Sequence, residues 1–146
     1  MIKVNTLGMF DVAKIDPTIK LEEDIKNNQF VTVDEDLFLV MNEPNGDDSY
    51  RDDVVLKAGE CLNGFLLSAW VGQELVVDSK HITYKHSENY EETLTAGKFL
   101  KVGGDKNLET SETAPESGIY FKVVAKEMLT EKAVRVKIMD AGKAQA

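Results

Sequence analysis

The chain has 146 residues, of which 42% are hydrophobic and 29% charged, a size and composition that suit one globular domain with a sizeable core. Its 26 acids and 17 bases give a net charge of −9, which argues against a nucleic-acid partner and against anionic membrane surfaces. No apolar run reaches the roughly 20 residues of a membrane helix, and the N-terminus lacks a signal-peptide pattern, so we expect a protein that is neither membrane-bound nor exported.

Residues 1–27 are predicted to be distinct from a β domain at 28–146. The apolar side chains of the first half are too many for a free tail, so residues 1–14 are interpreted as an arm that binds a partner by adding a strand or filling a groove. The candidate partner-binding residues are Ile2, Val4, Leu7 and Phe10, accompanied by Met9 and Val12. An ordinary first strand of the β domain is the alternative.

Residues 17–27 allow two local structures. Asp16 is a plausible cap before Pro17 at the first helical position, which predicts one short helix. Ile19 and Leu21 also alternate with polar residues, so an extended segment fits the same sequence.

Alternation of apolar and polar residues predicts strands through the rest of the chain, bounded by Gly, Asn, Asp or Pro. The run at 65–71 is apolar on both faces, which indicates a central strand, and Gly72-Gln73 is typical of a tight primed turn. The predicted strands are 30–33, 37–41, 65–71, 74–78, 81–85, 99–102, 107–110, 119–123 and 134–138. The fold class is therefore all-β, a small barrel or sandwich of hairpins with an N-terminal arm and at most one short helix.

Residues 56–62 and 94–100 share the pattern L-x-A-G-x-x-L. In each copy the Ala-Gly pair suits the central positions of a type II turn, where the second residue needs the positive φ that glycine tolerates. Gly59 and Gly97 are therefore predicted to form structurally required corners between strands. A duplicated corner and chance convergence both explain the repetition.

The side chains that carry chemistry do not describe an enzyme. Cys61, His81 and His86 are the candidates for a thiol site or a partial metal site, but the two histidines are five residues apart and face opposite sides of a continuous strand. The sequence contains no nucleophile elbow, zinc-ligand spacing or phosphate-binding loop. We therefore expect no catalytic residue, no cofactor and no metal site.

Much of the negative charge lies in one segment. Residues 34–53 hold eight acids and a single base, Arg51. The densest part includes Asp47, Asp48, Asp52 and Asp53, but it lacks the glycine position and the closing glutamate of an EF-hand. We interpret it as a solvated acidic loop rather than a Ca²⁺ site.

Aromatic side chains offer a second hypothesis for function. Trp70 with Tyr50, Tyr84, Tyr90 and Tyr120 would supply stacking faces for sugar rings, as in carbohydrate-binding β modules. Trp70 lies in the most apolar predicted strand, however, so core packing is the favoured role.

Residues 94–105 (LTAGKFLKVGGD) and 113–120 (TAPESGIY) follow a recognisable order of corner, short strand, Gly-rich turn and valine-rich hairpin. In this order, and as a small acidic all-β chain, the protein resembles the head decoration (auxiliary capsid) proteins of tailed bacteriophages. The resemblance implies a non-enzymatic virion protein, made in the host cytoplasm, that binds the outer surface of the major capsid shell and stabilises it as a homo-oligomer. A carbohydrate- or surface-binding module on a virion or tail is the alternative.

Overall fold

The computed structural model describes residues 2–4, 14–40, 55–84, 93–128 and 132–142, and these residues form mainly strands. The all-β prediction is confirmed. Two short 3-10 helices, η1 (Leu67–Trp70) and η2 (Ser79–His81), interrupt the strands. The strands are β1 (Ile2–Val4), β2 (Lys14–Lys20), β3 (Ile25–Lys26), β4 (Phe30–Val33), β5 (Asp36–Val40), β6 (Val55–Leu56), β7 (Cys61–Leu66), β8 (Glu74–Asp78), β9 (Ile82–Thr83), β10 (Phe99–Val102), β11 (Leu108–Ser111), β12 (Ile119–Met128) and β13 (Lys132–Asp140).

The main core lies between a seven-stranded sheet and a four-stranded sheet. The strand orders are β1-β8-β13-β12-β10-β11-β9 and β2-β7-β5-β4. Phe30 of the smaller sheet meets Phe121 of the larger one edge to face, with ring centroids 5.6 Å apart. Alternation along β12 and β13 supplies much of this core from the larger sheet, through Phe121, Val123, Val134, Val136 and Ile138.

A second, smaller core covers the other face of the four-stranded sheet. It forms against the two-stranded sheet of β3 and β6, in which Ile25 pairs with Leu56. The four-stranded sheet is thus buried on both faces, and β7 lies so close to β5 that a Cβ on Gly64 would overlap the carbonyl oxygen of Leu39. The buried members of this second core are Leu21, Ile25, Phe38, Val40, Leu56 and Leu62.

Three tight corners with one hydrogen-bond pattern connect the strands. Their glycines, Gly59, Gly72 and Gly97, have φ of 89°, 94° and 90°, as the second central position of a type II turn requires. Each glycine N–H donates to a residue of another segment, and that residue donates back to the carbonyl of the residue after the glycine. The bonds are Gly59 to Leu21 (2.8 Å) and Leu21 to Glu60 (2.9 Å), Gly72 to Ile138 (2.8 Å) and Ile138 to Gln73 (2.9 Å), and Gly97 to Val123 (2.9 Å) and Val123 to Lys98 (2.8 Å).

The helix predicted at 17–27 is wrong, and the extended alternative describes this segment. Strand β2 continues to Lys20, which pairs with Cys61, and β3 follows at Ile25–Lys26. Pairing with β7 and β6 satisfies backbone groups that a helix would have bonded internally, and it lets Ile25 enter the second core. Tertiary contacts therefore outweigh the local helix signal of Pro17.

The central strand predicted at 65–71 is also too long. Strand β7 ends at Leu66, and the chain turns through η1, which places Leu67 in the main core. Val71 has φ −57° and ψ 131°, so Gly72 occupies the second position of a type II turn instead of the first position of a primed turn. Strand β8 consequently leaves its expected partner and pairs with β1 and β13.

Candidate protein-binding groove

A groove of about 470 Å³ lies between β4 and the segment that follows β2. Four consecutive residues of one wall, from Val31 to Asp34, line it. Side chains alternate between the two faces of a strand, so consecutive residues reach one groove only along the strand's edge. The groove therefore runs beside the outer edge of β4. The opposite wall consists of Lys20, Leu21, Glu22, Glu23 and Ile25.

The outer edge of β4 has backbone groups available for a further strand. Strand β4 is the last strand of its sheet and pairs only with β5 in the described part of the chain. Val33 and Asp36 flank a two-residue turn and therefore form a hydrogen-bonded pair. Hydrogen-bonded and non-hydrogen-bonded pairs alternate along two antiparallel strands, so the next pair, Thr32 and Leu37, is not hydrogen-bonded. The N–H and C=O of Thr32 thus point away from β5. Phe30 uses its outward N–H to bond the carbonyl of Lys106 at 2.9 Å. Thr32 thus marks the open part of this edge.

The floor of the groove is apolar and continuous with the second core. Leu21 and Ile25 are 5% and 1% exposed, whereas Val31 and Val33 are half-buried and pack against the same cluster. The valines lie on the face of β4 opposite Phe30 and so leave one side of the second core partly covered. An apolar side chain placed in the groove would bury additional surface there.

The rim of the groove is acidic. Glu22, Glu23 and Asp34 are exposed carboxylates, and Lys20 is the cation of the lining. Glu23 forms an ion pair of 2.6 Å with Lys106, which leaves Glu22 and Asp34 as the carboxylates without a described ion pair. The hairpin tip continues the acidic surface with Glu35 and Asp36, both exposed.

The wall opposite β4 is fixed to the first corner. Asp24 accepts a hydrogen bond of 2.8 Å from the backbone N–H of Ala58 and lies 3.6 Å from the ammonium of Lys57. The Ala58 bond, followed by the charge of Lys57, holds the pKa of Asp24 below its ordinary value despite some desolvation. Together with the two backbone bonds of Leu21, this contact makes the groove a preformed feature.

Cys61 and His81 lie in separate elements of the fold, β7 and η2. Cys61 is half-buried on β7, and Lys20 donates a hydrogen bond of 3.5 Å to its sulfur, a contact between distant residues that the sequence did not indicate. His81 is 7% exposed within η2, and His86 lies outside the described residues. Among the described residues, no group of three or more His, Cys, Asp or Glu side chains is placed to hold a metal ion.

The partner-binding role of Ile2 stays a prediction, and the structure places this residue within the β domain. Strand β1 pairs with β8, and Ile2 is 0% exposed in the main core, so its side chain is occupied within the fold. The alternative, an ordinary first strand, describes residues 2–4, of which Val4 forms the last strand position. Leu7 and Phe10, with the rest of the predicted arm at 5–13, lie outside the described residues, and so does the part of the acidic segment (34–53) that follows residue 40.

Of the aromatic residues considered for sugar stacking, Trp70, Tyr84 and Tyr120 contact the interior. Trp70 ends η1 and packs, partly buried, against the main core, as Tyr84 does. Tyr84 shares a hydrogen bond of 2.9 Å with Ser79, and its burial raises the pKa of the phenol. Tyr120 is 6% exposed and meets Phe99 edge to face, whereas Tyr50 and Tyr90 lie outside the described residues.

The fold and the groove define an all-β module in which, among the described residues, the outer edge of β4 lies open beside the groove. No protein-family model, curated protein or solved structure matches the chain. Across the described ranges, the structure contains no helix with the length and apolar character needed to span a membrane.

Proposed function

We propose that the protein is a non-enzymatic virion component that binds the outer surface of a phage capsid and stabilises the shell. The observation that carries this proposal is the structure of the two segments on which the resemblance to head decoration proteins depends. Residues 94–105 form the third corner, then β10 and the Gly-rich turn into β11. Residues 113–120 lead into the long β12–β13 hairpin.

The architecture supports a role that depends on rigid surfaces. Corners with paired backbone bonds attach the strands to one another, and the four-stranded sheet is covered on both faces. A protein that stabilises a shell binds more tightly if its contact surfaces are already ordered, because it then loses less conformational entropy on binding. The acidic groove beside β4 is one such preformed surface, and the capsid shell is the proposed partner.

The test is the protein content of virions. Phage particles produced by the source culture would be purified by density gradient and digested for quantitative mass spectrometry. We expect this chain at a copy number comparable to that of the major capsid subunit. Its absence from the particles, or presence at only a few copies per particle, would overturn the proposal.

Binding to the outside of the shell is tested separately with recombinant protein. The purified chain would be added to capsids that lack it and sedimented with them, with an unrelated acidic β protein as the control. Saturable co-sedimentation that protects the capsids against heat supports the proposal. Sedimentation equal to that of the control protein contradicts it.

A further inference from the structure

We propose that the groove beside β4 binds an extended, basic segment of a partner protein, which pairs with the edge of β4 as an added strand. The inference rests on the proposed function as a binding module and names the chemistry of the segment that it recognises. Three properties of the groove lead to it: an open backbone edge, an apolar floor and an acidic rim.

The open edge specifies the conformation of the guest. Thr32 directs one N–H and one C=O away from β5, and no described strand bonds them. An extended guest opposite Thr32 accepts one hydrogen bond and donates another, as in β-strand addition. A helical guest has used these groups internally, so it satisfies neither.

The floor and the rim specify the side chains. In an added strand, alternate residues point toward the face that carries Val31 and Val33, where apolar side chains complete the second core. The intervening and flanking residues lie near Glu22 and Asp34, so Lys or Arg is favoured there. The expected guest therefore alternates apolar and basic residues.

The same charges argue against a second copy of this chain as the guest. Pairing β4 with β4 of another molecule would bring two acidic hairpin tips, each with Asp34, Glu35 and Asp36, toward one another's acidic grooves. Like charges across a strand pair are destabilising. A basic segment of a different protein removes this repulsion and adds attraction.

The probe is a synthetic, end-capped peptide of four Lys-Val repeats, titrated into the full chain with backbone amide shifts followed by NMR. The control peptide has the same composition in two blocks, four Lys followed by four Val, which removes the alternation. We expect saturable shifts concentrated at residues 20–25 and 31–34 with the alternating peptide. We expect only weak, dispersed shifts with the block peptide.

Variants at Thr32 test strand pairing. Thr32→Pro removes the outward N–H without removing a bond to β5, and Thr32→Val keeps that N–H as the matched control. Loss of one such bond should weaken peptide binding about tenfold, several times more than Thr32→Val, which keeps the bond. A peptide N-methylated at alternate residues removes the reciprocal donor and tests the same pairing on the unaltered protein.

Charge neutralisation tests the rim. Glu22→Gln combined with Asp34→Asn should weaken binding of the Lys-Val peptide about threefold to tenfold at low salt, and much less at high salt. Glu112→Gln combined with Glu116→Gln removes two exposed carboxylates that do not line the groove, and should change affinity little.

Three results would overturn the inference. The first is peptide shifts that spread over the surface and do not respond to Thr32→Pro or to N-methylation. The second is equal affinity for a Glu-Val peptide. The third is a concentration-dependent dimer, detected by analytical sedimentation, that Thr32→Pro abolishes. In that case a second copy of the chain would be the guest. Each leaves the virion measurement unaffected, so failure of the groove and failure of the capsid role are distinguishable.

Discussion

The backbone N–H of Gly97 donates a 2.9 Å hydrogen bond to the carbonyl of Val123, beside the irregularity in β12 where pairing with β13 shifts register. The N–H of Val123 in turn donates a bond of 2.8 Å to the carbonyl of Lys98. The corner therefore bonds the backbone of Val123 as a neighbouring strand would. The other two corners bond in the same way to Leu21 and Ile138. This arrangement makes the corners part of the sheet framework.

The positive φ of the corner glycines predicts a backbone cost for any side chain. At Gly59, Gly72 and Gly97 a Cβ would meet no atom within 4 Å, so strain of φ is the main penalty. Valine at each position should lower the free energy of unfolding by about 1–3 kcal/mol in denaturant melts. Gly104→Val is the control, because Gly104 has the same open space without a positive φ. Equal losses at Gly104 and Gly97 would contradict the strain argument.

Gly64 should be sensitive for a different reason. A Cβ there would overlap the carbonyl oxygen of Leu39, which belongs to the adjacent strand and is not free to move aside. Gly64→Ala should therefore cost about 3 kcal/mol or more, at the upper end of overpacking effects. Gly97→Ala, which adds the same methyl group in open space, should cost less. A tolerated Gly64→Ala would show that β5 and β7 can separate.

Local patterns predicted the β10–β11 and β12–β13 hairpins correctly. Strands β10 and β11 flank a Gly-rich turn, and β12 and β13 alternate strongly, so nearby residues specify the pairing. The corner at Gly72 does not follow the L-x-A-G-x-x-L pattern, because Ala69 and Val71 stand where the other two corners have leucine and alanine. All three corners share a shorter pattern, in which the glycine is followed three residues later by a buried leucine: Leu62, Leu75 and Leu100.

Local sequence patterns could not predict the groove, because its two walls come from segments that are distant in the sequence. Lys20 to Ile25 and the edge of β4 become the walls of one cavity only when β2 pairs with β7 and β4 pairs with β5. The extended path that positions Leu21 was one of two structures that the sequence at 17–27 allowed, and local patterns did not decide between them. Backbone pairing across the sheet, which local propensity does not report, decides both features.

The turn beside the groove carries strain that a glycine should relieve. Asp34 and Glu35 have φ of 49° and 72°, the arrangement of a two-residue primed turn, in which glycine is favoured at the second position. Glu35→Gly should raise the free energy of unfolding by about 0.5–1 kcal/mol. Asp36→Gly, at a strand position without positive φ, should lower it. Destabilisation by Glu35→Gly would mean that the Glu35 side chain stabilises the turn.

Protonation of Asp105 should account for part of the loss of stability at acid pH. Burial works to raise the pKa of its carboxyl, but hydrogen bonds from Thr83 (2.9 Å) and from the Asn107 N–H (3.1 Å) outweigh it and hold the pKa below the ordinary 3.8. A pKa lower in the folded than in the unfolded chain stabilises the protein above about pH 4, and this contribution is lost as the pH falls through the folded pKa.

Removing the hydroxyl of Thr83 tests whether its hydrogen bond lowers the pKa of Asp105. Thr83→Val should raise the pKa of Asp105, measured by NMR titration, and should flatten the fall in unfolding free energy below about pH 4. Thr83→Ser keeps the hydroxyl and should preserve both properties. An unchanged Asp105 titration in Thr83→Val would show that the remaining hydrogen bonds, from Asn107 and the backbone of Asp105, set the pKa.

Ile2 separates the two hypotheses for the N-terminus. Because Ile2 is fully buried in the main core on β1, Ile2→Ala should lower the free energy of unfolding by about 2–4 kcal/mol while leaving capsid co-sedimentation of the folded protein unchanged. Ile119→Ala makes the same deletion at a half-buried position of β12 and should cost roughly half as much or less. If Ile2→Ala kept full stability but weakened capsid binding, the arm would be the correct description, because only a side chain that contacts a partner affects binding without affecting the fold.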